Sequence, residues 1–230
     1  MTMLIAACAV FLLIHLLISG TRVRDFIASA VGEAPYMGLF SLASLATLIW
    51  MIIAFGHARG SPANIGFWGI GHANRDPAIL LTLLGFLLIV PGLLTNSPTR
   101  VRGGGQVDKA AAATGMVRIT RHPFLWGVAI WAVGHLVANG RLADVILFGS
   151  LLVLALFGTY SIDAKRTRAL GERYEAFKAK TSNIPFAAIV QGRQTFNFGE
   201  IWWRLVVALA VWALVIWLHP YFTGGVRPLG

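Results

Sequence analysis

The residues best equipped for chemistry in this 230-residue chain are its six histidines, His15, His57, His72, His122, His135 and His219. His15, His122, His135 and His219 lie within or at the edges of long apolar runs. A titratable ring in a bilayer is costly, and by default it marks a functional position. A neutral imidazole can also do no more than bond a carbonyl or a neighbouring helix; from the residues alone both readings stand. Cys8 is the only cysteine, which excludes an internal disulfide and any multi-cysteine metal site.

His15 has polar company. On one helix Cys8, His15, Ser19 and Arg22 fall within a narrow arc, because spacings of seven and four return close to the same face. The rest of that segment is overwhelmingly aliphatic, so the polar stripe is expected to face the protein interior. Around His135, the residues Gly127, Trp131, Gly134 and Ala138 gather on the same side of a helix. Small residues beside a broad ring leave space for a planar ligand or for a close helix neighbour. His122 belongs to a different face. It stands in the stretch RITRHPFLWG, with Pro123 placed as the first residue of a helix, where the missing N–H costs nothing. Arg118 and Arg121 flank it. That cluster suits an anionic group, such as a propionate, phosphate or carboxylate, and equally suits contact with lipid head groups.

These residues must be positioned by membrane helices. The chain is 57% hydrophobic and 12% charged, with a mean hydropathy of +0.73, which excludes an ordinary soluble domain. Six spans are expected, over Met3–Ser19, Met37–Phe55, Ala78–Leu94, Pro123–Ala138, Val145–Tyr160 and Ile201–His219, in one all-α domain over 1–230. Most are near the short end of the roughly 17–25 residues that a bilayer needs. The first span has no basic residues before it and no small-residue cleavage site after it, so it is expected to be retained. Loops 20–36, 95–122 and 161–200, with Arg204, hold fifteen of the nineteen Lys and Arg. Basic loops favour the cytoplasmic side, which places both termini outside, in a bacterial inner membrane. The net charge of +10 then meets anionic lipid; no aromatic-interleaved groove for nucleic acid is present. Gly103–Gly105 read as a linker, since no Gly-Lys-Ser/Thr ending follows. Asp163–Lys180 reads as an amphipathic helix on the membrane surface, its stripe made by Leu170, Tyr174 and Phe177.

RITRHP (Arg118–Pro123), AVGHLVANG (Ala132–Gly140), LGERYEAFKAKTSNIPFAAIVQGRQ (Leu170–Gln194), the opening FLLIHLLISGTRVRDFI (Phe11–Ile27) and His219-Pro220 together resemble the NnrU family, which includes the plant zeta-carotene isomerases. The resemblance covers nearly the whole chain. It implies a polytopic membrane protein. For the isomerase branch it implies haem b on histidine ligands, which fall by position on His15 and His135, with His122 a reserve ligand or, with Arg118 and Arg121, a propionate contact. Ferrous haem in that branch assists cis-to-trans isomerisation of a polyene double bond. Its alternative cysteine ligand, three residues before the second histidine, is Ala132 here. The bacterial branch is associated with denitrification and nitrogen-oxide handling, which would make nitric oxide a ligand and a respiratory or redox protein a partner. A second resemblance, to the isoprenylcysteine carboxyl methyltransferases, rests on Arg121-His122-Pro123, on Leu170–Phe177 and on Ile184-Pro185, and implies S-adenosylmethionine. Those enzymes carry a glutamate pair before the surface helix, where this chain has Ile162-Asp163-Ala164-Lys165.

Overall fold

The computed structural model describes residues 1–69, 71–99 and 113–229, and of His72 the backbone alone. The expected linker Gly103–Gly105 lies outside them. Ten α-helices are present among the described residues. In chain order they are α1 (Thr2–Leu13), α2 (Arg22–Val31), α3 (Glu33–Arg59), α4 (His72–Leu94), α5 (Met116–Ile119), α6 (Pro123–Ala138), α7 (Leu142–Leu170), α8 (Glu172–Lys180), α9 (Ala187–Val190) and α10 (Trp202–Thr223). Strands β1 (Gly66–Trp68) and β2 (Gly140–Arg141) form one short antiparallel ribbon.

The fold is all-α and membrane-like. Helices α3, α4 from Ala73, α7 and α10 are long and apolar enough to cross a bilayer. The other two expected spans take different forms. Pro123–Ala138 is a shorter apolar helix, with the bounds expected. Thr2–Ile18 bends by 78° into α2, so that pair is a broken span or a re-entrant loop. Large apolar side chains such as Leu42, Phe157 and Trp217 point outward, as lipid requires. The buried positions are largely small, among them Ala7, Ala54, Ala132, Ala143 and Ala208. Lipid tails are as apolar as leucine, so helices associate through close backbone approach instead.

That approach is closest between α4 and α6. A Cβ at Gly127 would lie 2.6 Å from the Ile89 nitrogen and 2.7 Å from the Gly85 oxygen. A Cβ at Gly134 would lie 3.0 Å from the Ala78 oxygen. The glycine face of α6 is therefore filled by α4, which settles the choice between a planar ligand and a close helix neighbour at those two glycines.

The first span is irregular. After α1 the chain makes a π-helical turn over Ile14–Ile18, a feature that inserts one residue and is frequent at functional sites. The Cys8 thiol reaches Ser150 on α7, and a Cβ at Gly20 would collide with the Ser161 hydroxyl. Between those points the first span advances twelve residues and α7 eleven, so the π turn takes up the difference. The expected polar stripe ends at Ser19. Arg22 lies beyond the bend, exposed in α2, where the Thr21 hydroxyl accepts the Val23 N–H.

The expected surface helix over Asp163–Lys180 is corrected by the structure. Residues 163–170 continue α7, Gly171 at φ +55° ends it, and α8 begins again at Glu172. Tyr174 and Phe177 are fully covered by Ala113, Val117 and Leu170 rather than by lipid. The apolar stripe was real, but its partner is protein. The element with the make-up of a surface-lying helix is α2, with Val23, Phe26 and Val31 exposed beside Arg22 and Asp25.

Candidate functional site: lipid-immersed imidazoles and a buried ion network

His15 stands in the π turn of the first span. Its Nδ1 lies 2.7 Å from the Phe11 carbonyl. A carbonyl oxygen can only accept, so Nδ1 carries the proton and Nε2 keeps a lone pair. The Ser44 hydroxyl approaches that Nε2 at 3.5 Å, and the ring packs on Phe11 and Phe40. His135, near the end of α6, repeats the arrangement. Its Nδ1 donates to the Trp131 carbonyl at 3.0 Å, and its ring lies against Trp131 and Phe148. No hydrogen-bond partner meets its Nε2 among the described residues.

Both rings thus have the form of a metal-binding histidine: neutral, with one nitrogen fixed by a backbone carbonyl and the other presenting its lone pair. Their depths differ. His15 follows Cys8 by seven residues, and Cys8 faces Ser150, whereas His135 faces Phe148. The two histidines are therefore staggered by about nine residues of α7, on the order of 13 Å along its axis. No contact joins them. The donor chemistry of each ring suits haem iron; with this stagger the two can share one iron only along a ligand axis inclined toward the axis of the bundle.

The structure brings His122, Arg121 and Arg118 into other roles. Arg121 Nε donates to both oxygens of Asp163, at 3.0 and 2.9 Å, and Nη2 adds a bond to Oδ2. His122 Nε2 donates to Asp163 Oδ1 at 2.8 Å, and the Tyr174 hydroxyl donates to the same oxygen at 2.7 Å. His122 is 2% exposed and Tyr174 0%. Burial pulls the His122 imidazole below its usual range, and the bond to Asp163 only partly offsets this. Burial, with the Asp163 charge, pushes the Tyr174 phenol up. The network is held by three elements: the turn before α6, the last turns of α7, and α8.

His122 is consequently engaged by Asp163 at Nε2, which is the nitrogen a reserve ligand would need. Arg118 is also committed. Its Nε and Nη2 grip Glu200 at 2.9 Å each, and Nη1 donates to Gln194 and Thr195. That bidentate bond holds the Glu200 carboxyl below the usual range. The anionic groups expected beside these arginines are carboxylates of the chain itself.

Sequence reasoning missed Asp163 and Tyr174. In the sequence Asp163 stands out only as a departure from a glutamate pair and as the start of a charged helix, and Tyr174 only as part of a stripe. A faint signal existed, since an acid at the end of an apolar run needs a cation, and two arginines flank His122 in the sequence. Asn183 was also missed. It accepts the Trp126 indole N–H at 3.1 Å and donates to Thr159 at 2.9 Å, closing the turn over α6 and α7.

Comparison with known proteins agrees with the residue patterns. The family described as NnrU protein matches residues 3–228. The chloroplastic 15-cis-zeta-carotene isomerase of Arabidopsis thaliana is 28% identical over 94% of this chain and 59% of its own length. The chloroplastic 15-cis-zeta-carotene isomerase of Zea mays is 30% identical over 80% of this chain and 50% of its own. The chain therefore spans between half and three-fifths of the length of these curated relatives. No solved structure matches it. With the family match running almost from end to end, the chain belongs to the NnrU family.

Proposed function

We propose that this protein isomerises a cis double bond of a carotenoid-like polyene inside the bilayer, with haem b held by His15 and His135. The observation that carries the reading is the similarity to two proteins named as zeta-carotene isomerases, in one case across 94% of the chain. The imidazoles supply its cofactor side: two neutral rings on separate apolar helices, each with Nδ1 tied to the carbonyl one turn back. Bound there, haem would supply a redox-active iron able to engage a π bond.

The chain's own residues prepare that site. Phe11 and Trp131 fix the tautomer of each histidine through their carbonyls, so that Nε2 is the ligating atom. Phe40 meets the His15 ring edge-on and Phe148 packs against the His135 ring at a tilt, and both limit rotation of the imidazoles. The surrounding helices are apolar and exclude water, which suits a hydrocarbon substrate that has no group to hydrogen-bond.

A spectrum and a product assay test this together. Protein purified in detergent from cells supplied with porphyrin precursor is expected to show a Soret band, lost in His15→Ala and in His135→Ala. The same variants are expected to stop conversion of poly-cis to trans polyene in a carotenoid-producing host, read by chromatography. Pigment-free protein that still converts the polyene would overturn the haem assignment. A Soret band without any change in polyene geometry would overturn the isomerase assignment.

A further inference from the structure

A cavity of about 860 Å³ opens at the basic end of the bundle, and the reaction proposed above leaves it unused. Its walls are the last turns of α7, the end of α8 and the turn that follows. Three features define its chemistry. The first is charge. Arg121 is balanced by Asp163 and Lys178 by Glu175. Arg193 bonds only neutral oxygens: Nη1 donates to the carbonyls of Ala179 and Thr181 at 2.7 Å each, and Nε and Nη2 donate to Gln191 Oε1. Among the described residues no carboxylate pairs with it, so the cavity keeps one surplus positive charge.

The second feature is unused donor capacity. Ser182 is 5% exposed and lines the cavity. Its Oγ accepts the Ala188 N–H at 3.0 Å, while its own proton has no acceptor among the described residues. Arg121 spends Nε and Nη2 on Asp163, and its Nη1 donates to nothing among them. The third feature is the mouth. Tyr160 and Ile184 line it and are 67% and 59% exposed. Tyr160 ends an exposed strip on α7 with Val153 and Phe157, at i, i+4 and i+7 spacing, that leads from the apolar middle of the helix to the opening.

We propose that this cavity binds a net-anionic, phosphate-bearing amphiphile, its phosphate on Arg193, Lys178 and Ser182 and its hydrocarbon chain leaving past Tyr160 and Ile184 along α7. Convergent cationic and hydroxyl donors suit a multi-oxygen anion. The volume lies within the range of small-molecule sites. A hydrocarbon without a head group would meet an uncompensated charge, and a free phosphate would leave the strip unused. The head group can come from a bilayer phospholipid or from a diffusing isoprenoid phosphate.

The test offers dioleoylphosphatidylglycerol, dioleoylphosphatidylcholine or farnesyl phosphate to the full chain in neutral detergent and counts bound ligand by native mass spectrometry. Phosphatidylglycerol or farnesyl phosphate is expected to be retained roughly tenfold above phosphatidylcholine. Preference for phosphatidylglycerol names the bilayer as the source, and preference for farnesyl phosphate names a diffusing ester. Arg193→Gln with Lys178→Gln, both outside the Asp163 network, is expected to cut retention by about tenfold or more in protein that still elutes as a folded species. Equal retention of all three ligands by the unmodified chain overturns the proposal, whatever the variant does. Unchanged retention in a folded double variant overturns it as well.

Discussion

Asp163 is one of nine acidic residues in the chain, and four donor groups converge on it from Arg121, His122 and Tyr174. Removing its charge while keeping its shape leaves the Arg121 guanidinium buried without a counter-ion. Asp163→Asn is therefore expected to destabilise the protein by about 3–5 kcal/mol, the usual cost of breaking a buried pair, read as a lower thermal midpoint in detergent. His122 makes the same network sensitive to acid. Its folded imidazole resists protonation, whereas the unfolded one takes up a proton near pH 6.5. The unfolded state then binds more protons as pH falls below about 6.5. The His122 contribution is fully present above that pH and declines below it, down to the depressed folded value. A thermal midpoint that drops below about pH 6.5, and drops less in His122→Asn, is the expected result. None of this was legible from residue types alone. His122 was visible as unusual, but the partner that fixes its role lies 41 residues away.

At the level of elements, periodicity and composition read well wherever a helix runs through lipid. The apolar run Pro123–Ala138 has the bounds of α6, and each of the other runs lies within or beside a helix. What the pattern could not give was the surface against which a stripe packs. Leu170, Tyr174 and Phe177 looked like a lipid-facing stripe and are covered by Ala113 and Val117. Gly127 left two options open, and only the structure shows α4 in contact with it. That contact sets a sharp contrast between glycines. Gly127→Ala must push α4 and α6 apart, because the added carbon meets backbone atoms at 2.6 and 2.7 Å. A loss of about 1–3 kcal/mol is expected, as in other overpacked interiors. Gly56→Ala on α3 meets open space and should be neutral or stabilising by up to about 1 kcal/mol through helix propensity. Unfolding of the two variants in sodium dodecyl sulfate measures the difference.

Across the whole molecule, helices α4, α6, α7 and α10 pack side by side, and α1 joins them through α7 and through α3. The family, the apolar helices and the basic end were readable because each is a property of summed composition or of an extended motif. The π turn was not, because its cause is a mismatch between two distant helices. It has a consequence of its own. Between Cys8 and Gly20 the first span carries one residue more than α7 offers over the same distance. Shortening the chain by one, for example by excising Leu17, leaves eleven residues against eleven, so this stretch can return to ordinary pitch with the thiol still on Ser150 and the bend still seated at Ser161. Excision should therefore leave accumulation of folded protein largely intact, measured by size exclusion in detergent. Inserting one alanine after Leu17 doubles the excess and should reduce it, because either the thiol loses its serine or the bend loses its seat. Here the number of residues matters more than their identity.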